Sequence, residues 1–322
     1  MRRAHWSAQE ELGGGRWQFG FLLFVFSRFG SNVLRLFALP LAFFFFLGAR
    51  SKRRYSREFL GRAARFRDSA SAKRCSSLRH FRAFAVSLAD KMDAWAGRTK
   101  IDQLEIAPGD YDGLVADLQG GRGAVVLCSH LGNIEVFRAL GQLYAAETFD
   151  FRIAAIVDFD GTGRFNEMIK AINARSMADI IPASNIGPDT VIWLRDFIQD
   201  GGMVVIAGDR TAAMTQRTLT LPFLGQEADF PYGSFLLADL LEAPVFSVFA
   251  IRTKETAFRG IYRVHVRKHP ETGGIRRERD KRLLGMASLF RDQLQELAVQ
   301  TPCQWFNFYP FWERAEKGRR EH

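Results

Sequence analysis

The stretch AVVLCSHLGNIE, residues 124–135, decides the fold of this chain. Its first five residues are apolar without a break, which is typical of a strand buried on both faces of a sheet. A glycine-rich turn at 120–123 precedes this strand, and a helix-like stretch follows it. His130 and Glu135 therefore lie where a buried strand ends and a helix begins. In α/β sheets, ligands bind outside this carboxyl edge of the strands.

Similar apolar runs recur along the chain and alternate with helix-like stretches. The runs lie at 153–157, 179–181, 203–207 and 245–251; the helix-like stretches lie at 134–146, 164–175, 189–199, 234–241 and 276–299. This alternation predicts an α/β fold with a largely parallel central sheet flanked by helices.

Residues 19–49 form a long apolar stretch that contains Arg28, Arg35 and Pro40. No charge-free run in it reaches the ~20 residues of a simple transmembrane helix. The polar residues of 27–35 fall three to four apart, so on a helix they form one stripe. We expect a helix lying in the membrane interface, with this stripe toward the lipid headgroups. A re-entrant hairpin and a helix packed on the protein are the alternatives.

The net charge of +10 is concentrated in one basic segment. Residues 50–82 hold twelve Lys or Arg and two Asp or Glu, a difference of 12 − 2 = +10. Beside an apolar region, such a segment is typical of the cytoplasmic face of a membrane, and a solvated helix face is the alternative. No nucleic-acid reading motif accompanies it, so no nucleic-acid partner is predicted. We divide the chain into an apolar membrane-associating region (1–49), a basic helical segment (50–100) and an α/β domain (101–322).

Cys75, Cys128 and Cys303 lie far apart and match no metal-binding or redox spacing, which predicts a reduced chain without a disulfide. His265 and His269 are four apart on a predicted strand, a separation of ~13 Å, so no metal site is expected there. The chain also lacks the G-x-G-x-x-G and Walker A motifs of nucleotide sites. The aromatic cluster at 305–312 has three interpretations: the wall of an acyl-chain groove, a membrane-interface belt or a cover of the core.

His130 is the first candidate for chemistry. A histidine in this position can act as a general base, and a carboxylate about one helical turn later, Glu135, can fix its tautomer. A histidine base suits an acceptor that already carries a nucleophile, such as a hydroxyl. The alternative is a helix-capping histidine, with Glu135 in a first-turn position favoured by the helix dipole.

A second candidate site follows another apolar run, in the sequence VVIAGDR at 204–210. Asp209 and Arg210 end this predicted strand, and Arg210 could bind a phosphate with two parallel hydrogen bonds. A surface ion pair between them is the alternative. Arg164 and Asn166 begin a predicted helix, where a cation opposes the helix dipole. An anion-binding role and a loose surface position are both consistent with Arg164.

The hexapeptide HLGNIE at 130–135 resembles the H-x4-[DE] block of the lysophospholipid acyltransferase superfamily. It is most similar to the Glu-bearing branch, the late acyltransferases of lipid A biosynthesis in Gram-negative bacteria. The apolar N-terminal helix, the H-x4-E block, the stretch at 164–166 and the later Gly-Asp-Arg block occur in the same order. The resemblance covers about residues 20–312. Lipid A acyltransferases usually carry another residue in place of Arg210, which puts the identity of the acceptor in question.

The resemblance implies an acyltransferase that moves a fatty acyl group from a thioester of acyl carrier protein or coenzyme A to a hydroxyl of a lipid or glycolipid. It implies His130 as general base and Glu135 as its supporting partner. Backbone N–H groups near Gly132 and Asn133 are candidate donors to the oxyanion. The predicted substrate-binding residues are Gly132, Asn133, Arg164, Asn166, Asp209 and Arg210.

The same resemblance implies no metal or redox cofactor. Together with the apolar stretch and the basic segment, it predicts an enzyme of the inner membrane, attached peripherally or monotopically, with its catalytic domain facing the cytoplasm. The alternative is a non-catalytic, membrane-bound lipid-binding or scaffold protein with the same fold.

Overall fold

A computed structural model describes residues 16–66, 75–137, 152–157, 178–211, 217–255 and 260–313. The strands in these ranges are β1 (Leu104–Ile106), β2 (Ala124–Cys128), β3 (Ile153–Val157), β4 (Ala178–Pro182), β5 (Met203–Ala207), β6 (Thr218–Phe223), β7 (Gln226–Pro231), β8 (Val245–Glu255) and β9 (Gly260–Lys268). The helices are α1 (Arg16–Gly48), α2 (Arg50–Arg65), α3 (Ser77–Trp95), α4 (Tyr111–Gln119), α5 (Pro188–Gln199), α6 (Tyr232–Leu240) and α7 (Arg279–Gln300).

Seven of the strands form one sheet, in the spatial order β1-β9-β8-β2-β5-β3-β4. Neighbouring strands are parallel except for the antiparallel pair β8 and β9. Strands β6 and β7 form a separate antiparallel hairpin. The predicted α/β class with a largely parallel sheet is therefore confirmed, and the bounds of β2, β3 and β5 match the predicted apolar runs.

Helices cover both faces of the sheet. One face packs against Leu194 of α5, Phe235 of α6 and Phe290 of α7. The other face packs against Leu114 and Leu118 of α4. Burial on both sides explains why β2 is apolar at every position, since none of its side chains reaches water.

The predicted helices agree with the structure in part. The stretches at 189–199, 234–241 and 276–299 correspond to α5, α6 and α7 within three residues. The predicted helix at 134–146 is represented by a short 3-10 turn, Ile134–Phe137, and its remainder lies outside the described residues. The predicted helix at 164–175 also lies outside them.

The register of the two central strands positions the candidate site. Cys128, the last residue of β2, lies opposite Ala207, the last residue of β5. The two parallel strands therefore end together. The residues that follow them, 129–130 and 208–209, leave the sheet side by side at its carboxyl edge.

Helices α2 and α3 pack against the C-terminal aromatic cluster. Phe59 is fully buried, with its ring centroid 4.8 Å from that of Trp305, and Phe81 lies 4.8 Å from Phe308. The six aromatic residues of the cluster are each at most 7% exposed; they are Trp305, Phe306, Phe308, Tyr309, Phe311 and Trp312. Of the three interpretations of this cluster, the structure supports the cover of the core.

The polar stripe of α1 is divided: Ser31 and Arg35 face the protein, while Arg28 and Asn32 are exposed. Arg35 donates from Nε and Nη2 to Asp90 at 3.0 and 2.7 Å, and from Nη2 to Asp93 at 2.7 Å. Its side chain is 8% exposed. The expectation that Arg35 points at lipid headgroups is therefore wrong. The two carboxylates are three residues apart on one side of α3. Pairing with these buried carboxylates is more favourable for the guanidinium than an exposed position. Leaving the carboxylates without it would cost about 3–5 kcal/mol.

The opposite face of α1 is apolar and exposed. Seven of its large side chains are between 40% and 72% exposed; they are Phe29, Leu36, Phe37, Leu41, Phe43, Phe44 and Leu47. Gly30, with φ at 77°, breaks the regular helix, and Pro40 lies inside it. In the described part of the chain, no single helix is long and apolar enough to cross a bilayer. Two segments, Arg28–Ala38 and Pro40–Gly48, reach that length and composition only together, and they are bent by 55°.

The prediction of a chain without a disulfide is wrong. Cys75 and Cys303 have their Cα atoms 5.5 Å apart and their sulfurs within bonding distance. The pair joins the start of α3 to the segment before Trp305. The two cysteines are separated by 228 residues, so their spacing carried no signal of a pairing.

Candidate active site

The loop after β2 holds the backbone of His130 in a fixed conformation. Ser129 Oγ accepts from the N–H of Leu131 at 3.0 Å, which closes a tight turn around His130. Gly132 has φ at 75°, and a Cβ there would lie 2.0 Å from the carbonyl oxygen of Ala250. Only glycine fits this contact, so Gly132 allows the loop to pack directly on β8.

Asp209 follows the end of β5, lies next to His130 and makes two hydrogen bonds with it. Its Oδ1 lies 2.9 Å from His130 Nδ1, and its Oδ2 accepts from the backbone N–H of His130 at 2.9 Å. Oδ2 also accepts from the indole Nε1 of Trp305 at 3.0 Å. Asp209 is 1% exposed, so these donors replace water around a buried carboxylate. The Asp209 carboxylate is thereby fixed in place against the imidazole.

The charges of this pair follow from its surroundings. Burial alone would raise the pKa of Asp209, but the charge and hydrogen bond of His130, followed by Arg210 and Trp305, lower it overall. Burial and then the Arg210 charge lower the pKa of His130, against the opposing effect of Asp209. An ionised Asp209 accepts a hydrogen bond from the Nδ1–H of a neutral imidazole. The other ring nitrogen, Nε2, is then unprotonated and can act as a base.

The carboxylate that contacts a ring nitrogen of His130 is Asp209, and not the predicted partner Glu135. The catalytic role of Glu135 stays a prediction. Glu135 accepts from Lys91 Nζ of α3 at 2.9 Å. The spacing argument assumed that a helix begins at the histidine. The helical turn begins only at Ile134, and the bend at Gly132 turns the chain before it. Glu135 therefore projects toward α3 and away from the imidazole ring nitrogens.

The predicted backbone oxyanion donors are also occupied. The N–H of Gly132 donates to Gln304 O at 2.9 Å, and that of Asn133 donates to Ala250 O at 2.9 Å. These bonds tie the loop to β8 and to the C-terminal segment. Gly132 and Asn133 thus support the loop, and their N–H groups do not face a substrate.

Arg210 lies at the same edge of the sheet. Its Nη2 donates to the carbonyl of Phe306 at 3.0 Å, and its guanidinium lies 5.3 Å from the ring centroid of Tyr309. The alternative of an Asp209–Arg210 surface pair fails, because Asp209 is buried against His130. Arg164 and Asn166 lie outside the described residues.

The sequence did not indicate two residues near this site, Lys91 and Trp305. Lys91 lies on a helix assigned to the basic segment, 39 positions before His130 along the chain. Trp305 lies in an aromatic cluster in which nothing distinguishes one indole from its neighbours. Both contacts depend on tertiary packing, so only the register of distant segments could have indicated them.

Other candidate groups are accounted for by packing. Burial, followed by the nearby Asp209 charge, raises the pKa of the Cys128 thiol well above its usual range, so Cys128 is no nucleophile at neutral pH. His269 lies 2.5 Å from Ser247 Oγ, in a buried contact between β8 and the end of β9. In the described ranges, no three His, Cys, Asp or Glu side chains are grouped so that they could hold a metal ion.

The model of one protein family, described as bacterial lipid A biosynthesis acyltransferase, matches residues 42–314. The chain belongs to this family. The match includes the basic helices, the whole sheet and the C-terminal aromatic cluster. A comparison with curated proteins gave no significant match. Membership establishes an acyltransferase, and with it an acyl donor and a lipid acceptor.

Within an acyltransferase, the pair of His130 and Asp209 has an evident chemical use. Acyl transfer to a hydroxyl requires a base at the hydroxyl proton and a cationic or N–H donor at the developing oxyanion. With Nδ1 against Asp209, the Nε2 atom of His130 is the ring nitrogen left for the base function. The imidazole is 32% exposed, so a substrate can reach it.

Proposed function

We propose that this protein transfers a fatty acyl group from a thioester of acyl carrier protein or coenzyme A to a hydroxyl of a lipid A-like glycolipid. The observation that carries the proposal is the 2.9 Å contact between His130 Nδ1 and the buried carboxylate of Asp209. This contact leaves Nε2 as the base of a partly exposed imidazole at the carboxyl edge of the sheet. The family match supports the acyl transfer itself.

The proposed reaction has two steps. His130 Nε2 takes the proton of the acceptor hydroxyl while the oxygen attacks the thioester carbonyl, and a tetrahedral oxyanion forms. The intermediate then collapses, the carbon–sulfur bond breaks, and the thiolate takes the proton from the imidazolium. Asp209 stays ionised throughout and stabilises the imidazolium that forms between the steps. Arg210, on the same edge, binds a phosphate of the donor or the acceptor.

Lipid analysis of a deletion strain tests this function. We expect loss of the coding sequence to give a glycolipid lighter by one acyl chain, measured by mass spectrometry of extracted lipids. The wild-type sequence should restore the mass, and one carrying His130→Ala should not. If the protein is a non-catalytic lipid-binding protein of the same fold, the wild-type and His130→Ala sequences should restore the deletion strain equally.

We also propose that the protein is attached to the cytoplasmic face of the inner membrane through α1. The support is the division of α1 into two faces: Arg35 binds α3, while the opposite face exposes large apolar side chains. Basic residues of α2 follow at once, and Lys or Arg near anionic lipids contributes about 1 kcal/mol each.

Replacing Leu36, Phe37 and Phe44 together by Gln should release the protein from anionic vesicles. Each buried apolar side chain contributes about 1.5–3 kcal/mol, so the bound fraction in a flotation assay should fall at least tenfold. High salt alone should not release the wild type. The matched control replaces Ile192 and Trp193 by Gln, because these side chains are exposed to a similar degree on α5. Unchanged flotation of the α1 variant would contradict the proposed attachment.

A further inference from the structure

The C-terminal segment 304–309 contacts both members of the His130–Asp209 pair. The N–H of Phe306 donates to the backbone carbonyl of His130 at 3.0 Å. The hydroxyl of Tyr309 donates to the backbone carbonyl of Asp209 at 2.8 Å. Since His130 follows β2 and Asp209 follows β5, this one segment joins the ends of the two central strands. The cover of the core therefore also borders the candidate active site.

Trp305 is the residue of this segment whose side chain binds the carboxylate. Its indole Nε1 donates to Oδ2 of Asp209 at 3.0 Å, and the backbone N–H of His130 donates to the same oxygen at 2.9 Å. Oδ1 is the oxygen that lies 2.9 Å from the imidazole Nδ1. Two donors on Oδ2 oppose rotation of the carboxylate and present Oδ1 to the ring. Trp305 and Asp209 are 0% and 1% exposed, so water does not replace the indole as a donor.

The same hydrogen bond affects the basicity of the pair. Against the effect of burial, the pKa of Asp209 is lowered by His130, Arg210 and Trp305. Without the indole, the carboxylate would bind an imidazolium more strongly, and the pKa of His130 would rise. The base would then be protonated at a higher pH than in the wild type. The other titratable or charged groups described around the pair are Lys91, Cys128, Glu135 and Tyr309.

His80 of α3 holds the backbone of Trp305. Its Nε2 lies 2.8 Å from the Trp305 carbonyl oxygen, and its Nδ1 lies 3.0 Å from Ser56 Oγ of α2. A carbonyl only accepts, so Nε2 carries the proton and Nδ1 accepts from the Ser56 hydroxyl. Burial lowers the pKa of His80 to about 4, so His80 stays neutral at neutral pH. A series of contacts therefore leads from α2 and α3 through Trp305 to Asp209.

Resting on the proposed acyl transfer, we propose that Trp305 is a positioning residue of the active site, which holds Oδ2 of Asp209 so that Oδ1 meets the imidazole of His130. His80 in turn holds Trp305. The alternative is that Trp305 only fills the core, where its ring lies edge-on against other aromatic rings, those of Phe59, Phe223 and Phe311. A packing role requires the ring, whereas the proposed role also requires the indole N–H.

Trp305→Phe keeps an aromatic ring and removes the N–H. The test uses the full-length protein, a lipid A precursor as acceptor, and thiol release from dodecanoyl-coenzyme A and dodecanoyl-acyl carrier protein. The kcat/KM for the acceptor at its pH plateau should fall about ten- to a hundredfold, the loss expected for one hydrogen bond to a charged group. The fall of kcat/KM at low pH, its acid limb, should move to higher pH.

Trp312→Phe is the matched control. Trp312 is a fully buried indole of the same cluster, and its Nε1 donates to the carbonyl of Phe223 at 3.2 Å. This variant should keep the acid limb of the wild type, whatever its effect on the melting temperature. Similar losses in both tryptophan variants, with acid limbs at the wild-type position, would overturn the proposal, because packing alone would explain them.

A second pair of variants tests the contact of His80. His80→Leu removes the donor to Trp305 and should move the acid limb in the same direction by a smaller amount. His80→Gln can keep a donor and should return the limb toward the wild-type position. His269→Leu is the control, because His269 is another buried histidine, 2.5 Å from Ser247 Oγ at the end of β9, and its replacement should leave the limb unmoved. If Trp305→Phe does not melt cooperatively, this pair decides, and an unmoved limb in His80→Leu overturns the proposal.

A double variant tests whether Trp305 acts through the carboxylate. Trp305→Phe combined with Asp209→Asn should lose no more activity than Asp209→Asn alone, and multiplying losses would overturn the proposal. A folded Trp305→Phe with full kcat/KM and the wild-type acid limb, beside an inactive His130→Ala, would overturn the inference and leave the function standing. Full activity in His130→Ala, or no transfer by the wild type with either thioester, would overturn both.

Discussion

His130→Ala is expected to lose nearly all acyl transfer, by about 10²–10⁴-fold, because the reaction loses the group that takes the hydroxyl proton. The variant should fold, since the loop is held by backbone contacts of Gly132 and Asn133 that do not involve the imidazole. Initial rates of thiol release with the purified protein measure the loss. Melting at the wild-type temperature is the control. A folded variant with near-normal rates would exclude His130 as the base.

The pH profile of the wild type follows from the same residue. The pKa of His130 is lowered, so the neutral form dominates at and above the ordinary histidine pKa of about 6.5. The kcat/KM, which reports the pKa values of the free enzyme, should therefore be level across neutral pH and fall only as pH drops through the lowered value. A profile that still rises above pH 7 would contradict a neutral His130 in the resting site.

Asp209→Asn is the second substitution with a large expected effect. The amide preserves the shape of the carboxylate but can present its NH₂ group to Nδ1, which favours the tautomer with the proton on Nε2. The base is then lost, and a decrease approaching 10⁴-fold in kcat is expected, as for the equivalent change in a Ser-His-Asp triad. The Trp305 indole and the His130 N–H also lose a charged acceptor.

Glu135→Gln provides the comparison. Glu135 does not contact the ring nitrogens of His130, so this variant should keep the acid limb of the wild-type pH profile even where its kcat falls. Asp209→Asn should lose that limb. The opposite pattern, with a normal profile in Asp209→Asn and an altered one in Glu135→Gln, would restore Glu135 as the orienting carboxylate.

The sheet could be predicted because its central strands are buried on both faces. The apolar runs of β2 and β5 have no amphipathic alternation, and this pattern is specific for parallel strands covered by helices. The residue at the end of each strand, and hence the edge where His130 and Asp209 lie, follows from these bounds. The short 3-10 turn at Ile134–Phe137 could not be predicted, because it depends on the bend at Gly132 against β8.

The contact between His130 and Asp209 could not be predicted from the spacing of residues within one motif, because it depends on the register of two strands. The sequence indicates both blocks, the one with His130 and the one with Asp209. It does not indicate that β2 and β5 are neighbours with Cys128 opposite Ala207. That register brings together residues separated by 79 positions. The orientation of Arg35 could not be predicted for a related reason. The spacing of polar residues indicates the stripe that contains Arg35, but its partners, Asp90 and Asp93, lie on another helix.

The most direct measurement is the mass of a lipid A precursor after incubation with purified protein and an acyl thioester. The wild type should increase the precursor mass by that of one fatty acid less one water, with the thiol as the other product, and His130→Ala and Asp209→Asn should leave the precursor unchanged over the same time. An unmodified precursor with the wild type, under both acyl carrier protein and coenzyme A thioesters, would contradict acyl transfer. Equal acylation by the wild type and both variants would contradict the assignment of the His130–Asp209 pair.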